Sequence, residues 1–327
     1  MSTQTSASTP SLAASITKAA SQQTYYTIRL LADRSRLDDA YRAYAYFRWV
    51  DDTLDSTGGS QSEHLAFISR QKSLLESCYR REFRLAVNAN EQMLVDLVRR
   101  DGEMDSGLQF YLRNMMAVMD FDARRRGRLV TQKELDAYTH HLASAVTEAM
   151  HYFIGHCCPS PRDETRYLAV TAAHITHMLR DTYDDVQHGY YNIPRELLEA
   201  KRFQPDDLQS QAYRFWARSR VQLARGYFDL GRRYLARVPN LRCRLAGYAY
   251  TARFEWLLDT IEREDYCLRP SYSERKSFRA GLGMSWLVLS SLFNIPRESL
   301  SPQLSVTPHS VTPQPVVTSR PAASRKL

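Results

Sequence analysis

Apolar residues in this chain recur at the three- and four-residue intervals of an α-helix, and no stretch alternates convincingly as a strand would. Tyr41, Tyr44, Phe47 and Val50 form one such stripe. With Ser35 as cap and Asp38 and Asp39 in the first turn, it predicts a helix over residues 35–54. Ser56-Thr57-Gly58-Gly59-Ser60 breaks the pattern, and further helices are expected at about 62–84, 90–101 and 107–121. Thr131 and Glu134 are spaced as a capping box that opens a helix to about Phe153. Beyond the stop at Cys158-Pro159-Ser160-Pro161, helices are predicted at about 162–188, 205–237, 240–266 and 273–293. No proline falls between Pro10 and Pro159, as long helices require.

The expectation is an all-α single domain of eight to ten helices over residues 21–300. A Ser/Thr/Ala-rich N-terminal segment, residues 1–20, reads as a flexible arm, and the Pro/Ser/Thr-rich segment 301–327 as a disordered tail. The most apolar window, Leu282 to Ile295, is too short to span a bilayer and suits a core or a membrane-touching face. No secretory signal is evident, so a cytoplasmic protein with peripheral membrane contact at most is expected. The five cysteines form no CxxC pair and read as reduced thiols. The formal charge of +8 is carried mainly by Arg, which suits anion binding, whereas no nucleic-acid motif accompanies it. Arg124-Arg125-Arg126-Gly127-Arg128 reads as a solvated loop. Oligomeric state is not legible at this level.

Two short signatures stand out from this background. Arg48 precedes Asp51, Asp52 and Asp55, and Arg180 precedes Asp181, Asp184 and Asp185. On a helix, aspartates at i and i+4 stack on one face within reach of a shared hard cation. One such comb is weak evidence, because any acidic helix can carry it. Two combs with adjacent Arg and apolar flanks point to metal ions gripped around a phosphorylated ligand, and magnesium favours such oxygen ligands. Neither a Gly-rich phosphate loop, a Ser/His/Asp set nor a Rossmann fingerprint is present, so NADPH is not indicated by motif.

Ala40-Tyr41-Arg42-Ala43-Tyr44-Ala45-Tyr46-Phe47-Arg48 leading into Asp51 to Asp55 resembles the first aspartate-rich region of the squalene/phytoene synthase family. Leu179-Arg180-Asp181 through Asp185, with Gly189 and Pro194 after it, resembles the second, and the segment from Tyr138 to Val146 resembles the tyrosine-led segment between them. Ala224 to Phe228 and Ala252 to Tyr266 are similar to later helices of the family. The resemblance implies an isoprenoid-synthase helical bundle with a central cavity and head-to-head joining of two prenyl diphosphates, of fifteen or twenty carbons each, through a cyclopropylcarbinyl intermediate. It further implies that Asp51, Asp55, Asp181 and Asp185 hold magnesium, with manganese as a substitute. Ser21, Arg48, Arg180, His177 and Tyr227 would contact substrate, and Tyr138 would act near the departing oxygen.

The departures are local. His174 and His177 stand where the family usually has Gln and Asn. With Asp181 and Asp185 they share one helix face that would also suit a transition metal. His140-His141 and His156-Cys157-Cys158 read as incidental neighbours. Ser144 and Thr147 replace glycines and should narrow the cavity beside Tyr138, and Gly189 to Pro194 lacks the family's usual charge. Two other readings stay open: ionisation of a single prenyl diphosphate followed by cyclisation or hydrolysis, and a non-catalytic binding or assembly protein. Retention of all four comb aspartates speaks against the last.

Overall fold

Side-chain caps open most of the longer helices where the apolar pattern breaks. In the computed structural model the described residues are 9–56, 59–82 and 86–272. Among them the order is α1 (Thr9–Ala20), α2 (Gln22–Leu31), α3 (Leu37–Leu54), α4 (Gln61–Tyr79), α5 (Ala89–Arg100) and α6 (Gly107–Arg125). There follow α7 (Gln132–Phe153), α8 (Leu168–Gln187), α9 (Arg195–Lys201), α10 (Gln211–Ala236) and α11 (Leu241–Arg263). The one β-type pairing among these residues is an isolated bridge between Arg128 and Tyr190. The Thr131/Glu134 capping box forms as expected, and Ser60/Glu63 and Asn88/Glu91 form two more.

The packing has two zones. Buried residues mainly of α3 to α7 make one, including Tyr46, Leu75, Leu94 and Leu112, joined by Ala13 of α1, Ala169 of α8, Tyr234 of α10 and Tyr248 of α11. Those of α8, α10 and α11 make the other, including Leu179, Phe228 and Leu258. α8 joins them, because it packs against α7, α10 and α11. Gly231 of α10 makes the tightest of these approaches: a Cβ there would stand 2.7 Å from the Ala169 Cα of α8.

Several expectations are corrected. Residues 9–20 are not a flexible arm but α1, which packs on α3 with Ala13 and Thr17 fully buried. Small residues permit the close approach, and the Thr17 hydroxyl is satisfied within its own helix by the Ala13 carbonyl at 2.8 Å. Ser35 is not a cap; it lies in a 3₁₀ turn, and α3 opens at Leu37 without a side-chain cap. Tertiary bonds fix that entrance instead, since Asp33 accepts from the backbone N–H groups of Gly155 and His156 and pairs with Arg242. The 162–188 helix starts only at Leu168, because Arg166 is drawn into a buried ion pair with Glu148. The 205–237 helix opens at Gln211 behind a Ser210 cap. The expected 273–293 helix and the 301–327 tail lie outside the described residues.

Candidate active site

The two combs stand at the C-terminal ends of α3 and α8, and earlier turns of the same helices line a chamber. On α3, Ala40, Ala43 and Tyr44 face that chamber before Arg48 and Asp51, and on α8 Ala169 and Val170 face it before Asp181. Helix C-termini carry partial negative charge, which adds to the carboxylates in favouring cations. The chamber has a volume of about 440 Å³, within the range that encloses a small organic ligand. Its wall is largely apolar, with Ile28, Leu31, Tyr111, Phe153 and Tyr250 among the contributors. Thr147 also lines it with a buried hydroxyl that has no partner, while Ser144 is buried away from the wall. Arg166 reaches the wall as part of a bidentate pair with Glu148, at 2.6 and 2.9 Å, braced by Tyr234 at 2.9 Å.

In the first comb Arg48 bonds Asp51 at 3.3 Å and also Asp52. Partial enclosure of the carboxylate pushes Asp51 up to about 6, with Asp55 adding to the rise and Arg48 opposing it. In the second, Arg180 forks onto Asp181 at 2.5 and 2.7 Å, and His177 Nε2 lies 3.2 Å from the same carboxylate. Burial pushes Asp185 up to about 6, against the pull of Arg125 and with the push of Asp181. Carboxylates held this far above their ordinary range are short of counter-charge, which a divalent cation would supply.

Between the combs stands a group that sequence reasoning missed. Asp122, on the last turn of α6, accepts from the Tyr138 hydroxyl at 3.1 Å and from Arg125 Nε at 2.7 Å. Arg125 Nη1 donates to Asn192 Oδ1 at 2.7 Å, and Asn192 Nδ2 donates to Asp185 Oδ2 at 2.5 Å. The Asp122 charge raises both Asp51 and Asp185, so it sits in the field of either comb. Tyr138 is buried between Phe121, stacked at 4.8 Å, and His174, edge-on at 5.0 Å. Burial and then Asp122 push its hydroxyl well above the usual range, so it stays a donor. The Asp122/Arg125 spacing of i and i+3 was the available signal. It went unread because the predicted helix ended at residue 121, whereas α6 continues to Arg125.

The segment after α8 is tied to the loop after α6 by the main chain. Gly127 N–H donates to the Gly189 carbonyl at 2.8 Å, and both glycines have positive φ, 72° and 81°. Three arginines of the run are paired, Arg124 with Asp120, Arg125 with Asp122 and Arg128 with Glu134, so it is more structured than a solvated loop.

Other expected site residues fall elsewhere. The Ser21 hydroxyl caps α2 by accepting from Thr24 N–H at 3.1 Å. Tyr227 does not meet the combs; it lines a second cavity of about 370 Å³ with Asp136, His140 and Arg220. The reason is helical phase. Ile175, Met178 and Leu179 face that second cavity, whereas His174, His177, Asp181 and Asp185 occupy a neighbouring face of α8. His177 meets Asp181, but among the described residues no three His, Cys, Asp or Glu side chains are grouped so as to hold a metal by themselves. That donor pattern fits magnesium better, because it takes one or two carboxylates and completes its shell with water and phosphate oxygens.

Comparison with known proteins gives the family and the fold. The squalene/phytoene synthase family model matches residues 17–279. This chain belongs to that family. Presqualene diphosphate synthase of Zymomonas mobilis is 30% identical over 191 residues, spanning 57% of this chain and 60% of that enzyme's length. In fold, squalene synthase HpnC of Alicyclobacillus acidocaldarius superposes with a TM-score of 0.63 at 18% identity, covering 80% of this chain and 95% of the other. A ligand-bound dehydrosqualene synthase gives 0.63 at 16% identity, covering 87% and 95%. Among the described residues no helix is long and apolar enough to cross a membrane.

Proposed function

We propose that this family member is a magnesium-dependent prenyltransferase that condenses two prenyl diphosphates head to head with loss of diphosphate. The observation that carries this reading is that α3 and α8, whose C-terminal ends bear the two carboxylate combs, both line one apolar chamber with their earlier turns. Bound magnesium would supply charge neutralisation to the leaving diphosphate. Asp51 and Asp55 on one side and Asp181 and Asp185 on the other would hold it. Arg48 and Arg180 orient the diphosphates as forked donors once the carboxylates have turned to metal. Tyr138, kept protonated and held by Asp122, offers a fixed dipole at the inner edge of the site. The apolar wall would keep water from the chain, and Tyr44, Tyr111 and Tyr250 add aromatic rings to the lining, which would favour a carbocation.

Thr147 in the chamber wall favours a second reading, in which room for one chain only leads to ionisation of a single diphosphate. Incubation with farnesyl or geranylgeranyl diphosphate and magnesium, followed by product extraction, tests both. Doubled carbon number supports condensation and unchanged carbon number supports the second reading. No diphosphate release from either substrate, or full activity in Asp51→Ala, would sink both.

A further inference from the structure

The cavity of about 370 Å³ that Tyr227 lines is used by no step of the proposed reaction. α8 is a wall of both cavities. Ala169 and Val170 face the reaction chamber, whereas Thr171, Ile175, Met178 and Leu179 face this second one. α7 and α10 supply further walls, with Leu135, Trp216 and Leu223 continuing the apolar lining. Such a volume is enough to enclose a small organic ligand.

One corner of this cavity is charged. Arg220 of α10 lines it, and the Arg220 Nε is buried with no hydrogen-bond partner. Burial pulls the guanidinium below the ordinary arginine value, with Asp136 and then Tyr227 opposing the fall. Arginine stays charged in proteins all the same, and a buried N–H left unpaired favours any acceptor that can reach it. Asp136 does not satisfy that Nε: its exposed carboxylate takes the Gln132 amide at 2.7 Å instead. Its charge weighs against ligands with two or more negative charges, phosphates among them. Tyr227 lies in the field of Arg220, so a phenol hydroxyl that can donate stands with the guanidinium. We infer that this cavity is a second ligand site, which takes a monocarboxylate with an apolar body. The carboxylate sits on Arg220, whose donor fork matches its two oxygens, and the body lies along Ile175, Met178 and Leu223. Binding there needs neither magnesium nor diphosphate, so it is separable from the prenyltransferase reading.

The probe is ω-bromodecanoate, because bromine quenches an indole that it touches and Trp216 lines the cavity. Titrated into the full chain without magnesium, it should quench tryptophan fluorescence to saturation. Trp216→Phe should still bind it by calorimetry, with most of the quench gone. Arg220→Met, which keeps the apolar stem, should bind decanoate about tenfold more weakly or worse. Decanol, which has the same body and no charge, should show a similar loss on the wild type. Absence of binding overturns the inference, as does a quench that persists in Trp216→Phe or equal affinity for decanol and decanoate. Undiminished binding in folded Arg220→Met also overturns it, and should that variant fail to fold, the decanol comparison on the wild type decides.

Discussion

Asn192 donates its side-chain amide to Asp185 at 2.5 Å, while the oxygen of the same amide accepts from Arg125 at 2.7 Å. One buried amide thereby couples the second comb to the Asp122–Tyr138 pair. Asn192→Leu removes a donor and an acceptor at once and leaves two charged groups short of a partner. Catalytic efficiency should fall roughly tenfold to a hundredfold, about 1.4–2.7 kcal/mol in the transition state. Steady-state kinetics on a folded variant would check this, and unchanged efficiency would show that the link is idle.

Asp51 and Asp185 make the metal-free protein sensitive to pH. Both are held near 6, above the ordinary value of 3.8, so the folded state takes up their protons more readily than the unfolded chain does. Their favourable contribution is therefore present at acid pH and is lost as pH rises through about 6. Without magnesium, the melting temperature of wild type should drop between about pH 5 and pH 7 more than that of Asp51→Asn. At the upper pH, magnesium with inorganic diphosphate should raise the wild-type melting temperature and leave Asp51→Asn little changed. Parallel profiles for the two proteins would contradict this.

These combs were legible in the sequence because the i and i+4 relation is local. Asp122 with Tyr138 and Arg125 with Asn192 are separated by 16 and 67 positions, and only the packing of α6, α7 and the segment after α8 brings them together. Fold class and most helix centres were legible for the same local reason. α1 was not, because Ala13 and Thr17 bury as small residues and give too weak a stripe to read. Tyr227 was named by resemblance alone, and its place in the second cavity was not legible because a residue's register on α10 does not reveal which face of α8 it meets.

Glu148→Gln tests the buried pair at the chamber wall. Arg166 would keep a hydrogen-bonding partner of the same shape and lose its counter-charge. Breaking one side of such a pair costs about 3–5 kcal/mol, so the melting temperature should fall by roughly 6–15 °C. Calorimetry would show it, and a shift of about a degree would mean that Arg166 finds solvent instead.

Gly231→Ala probes the contact between α8 and α10. The added methyl meets the backbone of Ala169 at 2.7 Å, which neither helix can relieve by turning a side chain. A loss of about 1–3 kcal/mol is expected, read by denaturant unfolding. No loss would mean that the helices slide apart freely, and the chamber volume would then be soft as well.

The hydrogen bond from Gly127 to Gly189 has an evolutionary reading. It joins the loop behind Asp122 to the turn behind Asp185 through atoms that every residue possesses, provided the two positive φ angles are kept. Side chains at Arg126 and Tyr191 can then change without breaking this main-chain link, whereas Tyr190 keeps its ring under the Arg125 guanidinium. The unusual stretch from Gly189 to Pro194 can coexist with the comb aspartates for this reason: apart from Asn192, which bonds Asp185, and Tyr190, which meets Arg125, the path of the turn rests on main-chain atoms rather than on its exposed side chains.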